Sequence, residues 1–255
     1  MRLTTLGTGT VSLTADRVRA GHLVEAGEVR LLLDVGSGVT HRLAERGVDW
    51  WNITHVALTH FHIDHFGDLP TLLFAWKYAR IPARERPLTV LGPAGTAALM
   101  EKLALAFGEW VTAPGFPVTV RELAPGEVAE LDPGVRLEAR KVPHTPESVA
   151  YSMDHGGRRL VYTGDTGVDE DLGAWAEGCD LLLAECSLPA RLAIPSHLTP
   201  ESCGDLAAAA NPRRFVLTHF YPPVLDEDIP AIVGAKYGGP VTLAHDGWQF
   251  DIEDV

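Results

Sequence analysis

Cysteine is scarce: Cys179, Cys186 and Cys203 are the only three in 255 residues. They are too few and too scattered for a disulfide framework, and their odd number fits a reducing compartment. The plainest role for each is that of a small buried apolar side chain. Long apolar runs are missing too. No stretch approaches the roughly 18 consecutive apolar residues that a membrane helix needs, and the opening MRLTTLGTGT lacks the apolar centre of a signal peptide. The expectation is a cytoplasmic protein with no membrane partner. Basic residues are the scarcer charged class, 21 Lys and Arg against 34 Asp and Glu, for a formal charge of -13. A polyanion such as tRNA meets a repulsive average field on such a chain, although a metal-rich cleft is locally positive even on an acidic protein. No low-complexity linker divides the sequence, so residues 1–255 read as one domain near the upper size for a single core.

What is present has the rhythm of an α/β protein. Leu31 to Leu33, Val56 to Leu58, Leu160 to Tyr162, Leu181 to Leu183 and Phe215 to Leu217 read as buried strands, each running into a loop of polar or small residues. Helices fit between them. Asp68 is placed as an N-cap, with Pro70 in the first turn and Leu69, Leu72, Leu73 and Trp76 at helical spacing. Thr199, Pro200 and Glu201 open an alanine-rich helix that stops near Asn211-Pro212. From Pro114 to Pro133 the mixture of Gly, Pro and alternating Val118 and Val120 predicts hairpins or loops. One echo stands out: Leu58-Thr59-His60-Phe61 returns as Leu217-Thr218-His219-Phe220, each time after an apolar run. Two similar halves would then each deliver a histidine to one edge of a layered sheet structure, where open α/β folds bind ligands.

Residues 60 to 65 read HFHIDH. In an extended segment, residues two apart face one side, so His60 and His62 aim both imidazoles at one point beyond a strand. Asp64 and His65 follow where the chain turns into the next helix and point to a neighbouring position. The spacing predicts two adjacent metal positions. Imidazole and carboxylate ligands without thiolate suit zinc first, with manganese and iron as alternatives.

Here the chain resembles the metallo-β-lactamase superfamily, whose signature is this H-x-H-x-D-H after a strand. Further family positions follow in order: Leu6-Gly7-Thr8-Gly9 near the start, Pro143-His144-Thr145, Tyr162-Thr163-Gly164-Asp165-Thr166, and Leu217-Thr218-His219-Phe220. The resemblance implies a four-layer αββα sandwich with two divalent metal ions at the edge of its sheets. It implies that His60, His62 and His144 hold one ion, that Asp64, His65 and His219 hold the other, and that Asp165 bridges them. A hydroxide held between two such ions is a nucleophile at neutral pH. Asp34 matches a family aspartate that supports the histidine motif from beneath by orienting a ligand imidazole.

Three features narrow the branch. Asp165 in its Gly-Asp-Thr setting resembles the bridging position of phosphodiesterases and thioesterases. Ala184-Glu185-Cys186-Ser187, followed by Pro195-Ser196-His197-Leu198-Thr199-Pro200, is similar to ribonuclease Z and its phosphodiesterase relatives. In that group a histidine at the His197 position gives a proton to the leaving oxygen, and Glu185 would orient or polarise it. The third feature is an absence: only Thr145 to Gly164 separates His144 from Asp165, and no tRNA-gripping arm fits there. The reading is therefore a binuclear metal-dependent phosphodiesterase acting on a small or exposed phosphodiester, with Asp64 also able to accept the nucleophile's proton. Its rivals are a ribonuclease Z-like RNA 3'-end endonuclease, a thioester or lactone hydrolase, and a metal-binding regulatory or interaction protein on the same scaffold. The family's habit of pairing adds a homodimer to the expected partners.

Other residues carry no assigned chemistry. Trp50, Trp51, Trp76 and Trp110 read as core, and the run Arg80, Arg84 and Arg86 as either a phosphate contact or a solvated face. His22, His41, His55, His155 and His245 match no ligand position, and His245-Asp246-Gly247 reads as a turn.

Overall fold

The computed structural model describes residues 1–254. Strand alternation explains its layers. In β3 (Val29–Leu33), Leu31 and Leu33 face one way and Leu32 the other. In β10 (Arg158–Tyr162) and β11 (Leu181–Glu185), Leu160, Tyr162, Leu181 and Leu183 likewise oppose Val161, Leu182 and Ala184. Every one of these side chains is buried, so both faces of each strand must be covered. Leu31, Leu33, Leu160, Tyr162, Leu181 and Leu183 form a single core between two sheets, and the opposite faces pack under helices. That gives the αββα order of layers.

The remaining elements of the first sheet are β1 (Arg2–Gly7), β2 (Gly21–Ala26), β4 (His55–Ala57), β5 (Leu88–Gly92) and β6 (Val118–Glu122), with β14 (Gln249–Asp251) on its edge. The second sheet adds β7 (Val128–Asp132), β8 (Val135–Lys141), β9 (Val149–His155), β12 (Arg214–Thr218) and β13 (Val241–Leu243). Their orders are β14-β1-β2-β3-β4-β5-β6 and β13-β12-β11-β10-β9-β8-β7. Each sheet begins as an antiparallel meander and continues as parallel strands, at β3-β4-β5-β6 in the first and β10-β11-β12-β13 in the second. The first LTHF segment leaves β4, the second strand of its parallel run, and the second begins at the end of β12, the third strand of its own. Helices α1 (Val39–Glu45), α2 (Ile63–Phe66), α3 (Leu69–Tyr78) and α4 (Thr96–Phe107) lie in the first half. In the second are α5 (Leu172–Trp175), α6 (Pro200–Ala210) and α7 (Ile229–Gly234). Among the described residues no helix is long and apolar enough to cross a membrane.

Local expectations fare unevenly. Thr199 caps α6, accepting from the Ser202 amide while the Ser202 hydroxyl accepts from the Thr199 amide, and Asn211 ends the helix in a left-handed conformation. Asp68 precedes α3 but does not cap it. Its Oδ2 accepts instead from the Gly38 and Thr40 amides and the Thr40 hydroxyl, 2.7–2.9 Å away, at the start of α1. Val118 and Val120 belong to no hairpin, because β6 pairs in parallel with β5 while β7 turns into β8 in the other sheet. Arg84 is neither a phosphate contact nor solvated. It is buried, and its guanidinium donates to the carbonyls of Trp51, Ile53, Arg86 and Pro87.

Candidate metal centre

The parallel strands β4, β10, β11 and β12 end at one edge, and the loops leaving them meet there. Beyond β4 the backbone bends at Thr59 and is extended at His62, and the single turn of α2 then carries Asp64 and His65 inward. His62 is exposed, whereas His60, Asp64 and His65 are buried. After β10, Gly164 has φ +57°, and a Cβ there would stand 2.8 Å from Thr59 Cβ. Glycine is what lets the chain close on Thr59 and set Asp165 among the histidines.

Asp165 is the centre of the arrangement. Its Oδ2 lies 3.8 Å from His60 Nε2 and 3.7 Å from His144 Nε2. Its Oδ1 lies 3.2 Å from His65 Nε2 and 3.3 Å from His219 Nε2. His62 Nδ1 completes the first group, 3.1 Å from His144 Nε2, and Asp64 Oδ2 the second, 3.7 Å from His219 Nε2. The candidate donor atoms of His60, His62, His144 and Asp165 lie within 4.8 Å of one another, as do those of Asp64, His65 and His219.

These residues suit divalent cations. Among the described residues, His60 Nε2 and Asp165 Oδ1 are buried and have no hydrogen-bond partner, an expensive state for polar atoms unless something else satisfies them. The donors are imidazole nitrogens and carboxylate oxygens, a set appropriate to zinc, manganese or iron. Their protonation leans the same way. Burial and then the neighbouring His65 push His60 well below the ordinary imidazole range, leaving its lone pair available. Burial raises Asp165, but the adjacent His219 and His65 outweigh it and hold the carboxyl well below its usual range. Burial also works against ionised Asp64, and its contact with His219 prevails to lower it.

The supports behind the cluster are specific. Asp34, in a left-handed conformation at φ 59°, accepts from the Thr59 amide at 2.8 Å and from the Tyr162 hydroxyl at 2.9 Å, and its Oδ2 lies 2.8 Å from His65 Nδ1. His65 Nε2 is thereby turned to the cluster. The Ser196 carbonyl lies 2.8 Å from His144 Nδ1. Ser187 Oγ lies 3.0 Å from His219 Nδ1 and donates to Glu185.

Glu185 also engages His197, with Oε1 2.9 Å and Oε2 3.1 Å from Nδ1, and accepts from the Thr166 and Leu198 amides. Burial lowers the His197 pKa, but the hydrogen bond and charge of Glu185 exceed that effect and raise it. With Nδ1 at Glu185, Nε2 is the ring nitrogen left to meet other groups. A His197 donor atom lies within 4.8 Å of Asp165 and His219 donors.

Every residue singled out from the sequence as ligand or proton donor thus lies in one cluster or against it. Sequence reasoning missed Ser187 and Tyr162, each a polar group at or just past a buried strand's end. It also missed Asp246. That buried carboxylate accepts from the Thr8 amide and hydroxyl, the Val18 amide and Arg42, tying the first loop to the end of the chain.

Residues 29–220 match the family model described as "Beta-lactamase superfamily domain". The chain belongs to that superfamily. A ribonuclease Z of Mycobacterium bovis is 29% identical over 271 residues, covering 96% of each chain. The short form of human tRNase Z superposes with a TM-score of 0.80 at 25% identity, covering 99% of each chain. YhfI of Bacillus subtilis, a metallo-β-lactamase fold protein, gives 0.85 at 22% identity with 98% of each chain covered, a likeness of fold alone. Within the superfamily the chain falls with the ribonuclease Z and phosphodiesterase branch, and it is a hydrolase of that fold.

Proposed function

We propose that residues 1–255 act as one cytoplasmic phosphodiesterase domain using two divalent metal ions, zinc foremost. His60, His62 and His144 would hold one ion, and Asp64, His65 and His219 the other, with one Asp165 oxygen directed to each. Bound there, the ions would supply Lewis acidity toward phosphoryl oxygens and acidify water to a nucleophile at neutral pH. The observation that carries this reading is the division of Asp165, one oxygen near His60 and His144 and the other near His65 and His219.

The chain's own residues would do the rest. Asp64, ionised at the edge of the second group, accepts the proton released by the attacking water. His197 gives a proton to the departing oxygen, and Glu185 fixes which ring nitrogen faces the substrate. Breaking a bond to a poor leaving group needs that proton most.

The name of the Mycobacterium bovis relative favours a second reading, an RNA 3'-end endonuclease. Against it stands the path from His144 to Asp165. It holds only β9, the turn at Gly156-Gly157 and β10, where no arm could grip tRNA.

The test is turnover of bis(p-nitrophenyl) phosphate by protein purified without chelator, with metals counted on the same sample. Hydrolysis with about two ions per chain is expected. Two ions without hydrolysis would overturn the phosphodiesterase reading in favour of thioesters or lactones. No bound metal would overturn the centre itself.

A further inference from the structure

The loops around the cluster are residues 8–18, the turn at His62–Asp64, residues 187–199 and residues 219–228. Backbone contacts knit them together: the Phe220 amide donates to the Thr8 carbonyl at 3.0 Å and the Tyr221 amide to the Ser187 carbonyl at 3.2 Å. Each loop keeps a large apolar side chain in solvent, with Val11 53%, Ile63 59%, Ile194 45% and Leu225 40% exposed. Such clustering around a catalytic opening is informative where a lone exposed leucine is not. Tyr221 stands edge-on to two of the site's imidazoles, its ring centroid 6.1 Å from His197 and 6.3 Å from His219. Among the described residues, its hydroxyl has no protein hydrogen-bond partner, whereas those of Tyr151 and Tyr162 do.

The cations of this border are already engaged. Arg17 donates to the Thr8 hydroxyl and the Ala244 carbonyl and lies over the Phe220 ring. Arg191 sits 3.7 Å from Glu227. Lys141, just before the His144 loop, donates to the carbonyls of Val142, Thr145 and Ser148. Asp16, Asp226 and Asp228 add negative charge to the same loops. Polynucleotides draw much of their affinity from lysines and arginines on phosphates, and this opening offers an acidic, apolar edge instead.

We infer that the substrate is a singly charged phosphodiester with an uncharged aryl or alkyl ester group, which rests against Tyr221 and Leu225 at the mouth of the metal centre. The inference rests on the phosphodiesterase reading and adds the substrate class. An aromatic ring there would stack on or edge against Tyr221 and remove apolar surface from water.

Three p-nitrophenyl phosphodiesters that release the same nitrophenolate test it on the metal-loaded full chain. Their second ester group is phenyl, methyl, or the 5'-oxygen of thymidine 3'-phosphate, which brings an extra charged phosphate. The expected kcat/KM is highest for phenyl, about tenfold or more above the nucleotide, with the lead over methyl residing in KM. Tyr221→Ala and, separately, Leu225→Ser should bring the phenyl-to-methyl ratio toward one through KM, with metal content unchanged. Equal or faster turnover of the nucleotide would overturn the inference while leaving the phosphodiesterase reading intact, as would a ratio that neither variant moves. Failure to hydrolyse any of the three with two ions bound would remove both.

Discussion

The two LTHF segments begin alike and end up doing different work. In the first half, Thr59 is saturated: its amide and hydroxyl both bond to Asp34, and its hydroxyl lies 3.0 Å from His60 Nδ1. In the second half, the Thr218 hydroxyl is buried and has no partner among the described residues, and His219 takes its support from Ser187. His219 itself has φ 59°, a conformation rare for residues other than glycine, whereas in the first half it is the supporting Asp34 that is left-handed. The first half therefore spends its polar groups on fixing candidate ligands, four of them within six residues. The second connects His219 through Ser187 to the Glu185–His197 pair. The first half crowds four candidate ligands into one segment, whereas the second brings His144, Asp165 and His219 from separate loops.

Asp165 belongs to both arrangements, so losing it should have the largest effect. Asp165→Ala is expected to cut phosphodiester hydrolysis by roughly a thousandfold or more and to lower metal content. Metal analysis alone tests the division of its oxygens, since a variant retaining two ions per chain would remove the bridging role. His197→Ala should affect only the second half's contribution. Metal stays bound, while hydrolysis of alkyl phosphodiesters slows by about 100-fold or more and that of nitrophenyl esters far less. Equal slowing of both substrates would sink the proton-donor assignment.

These contrasts show how much the sequence discloses. The layers were legible because Leu31 to Leu33 and Leu181 to Leu183 must bury both faces. Four members of the cluster were legible because HFHIDH concentrates its chemistry locally, while His144 and Asp165 were placed only through the family resemblance. Asp68 and Asp246 were not, because a carboxylate near a helix start or a turn looks alike whether it caps its own element or one far along the chain. Arg84 was hidden for the same reason: two of its four carbonyl partners, Trp51 and Ile53, come from a segment whose approach only the fold decides. Val118 and Val120 announced a strand but not its sheet, since alternation carries no information about partners.

The threonines give the next effect, on stability. Thr59→Val removes a hydroxyl bonded to the Asp34 carboxylate, and a cost of about 1.5–3 kcal/mol is expected. Thr218→Val is nearly isosteric and removes an unpartnered buried hydroxyl, so it should be neutral or slightly stabilising. Urea unfolding of both variants measures the difference. Equal losses would mean that the two segments are supported alike.

A smaller effect separates two buried imidazoles of the first half. His60 has Thr59 at its Nδ1, whereas both ring nitrogens of His22 lack a partner among the described residues and its ring meets Tyr162 edge-on at 5.0 Å. Burial foremost, and then the charges of His65 and His219, lower the His22 pKa to about 3. Between that value and the ordinary 6.5 the unfolded chain binds a proton that the folded chain refuses, so stability falls as pH falls through this window. From pH 7 to pH 5 the loss from this group is about 2 kcal/mol. His22→Leu should flatten that part of the profile without destabilising the protein at pH 7, because no hydrogen bond is lost. Unfolding of parent and variant in chelator at both pH values keeps metal loss out of the comparison. If the variant weakens as steeply as the parent, the acid sensitivity lies in other groups and the His22 ring has found a partner on the way down.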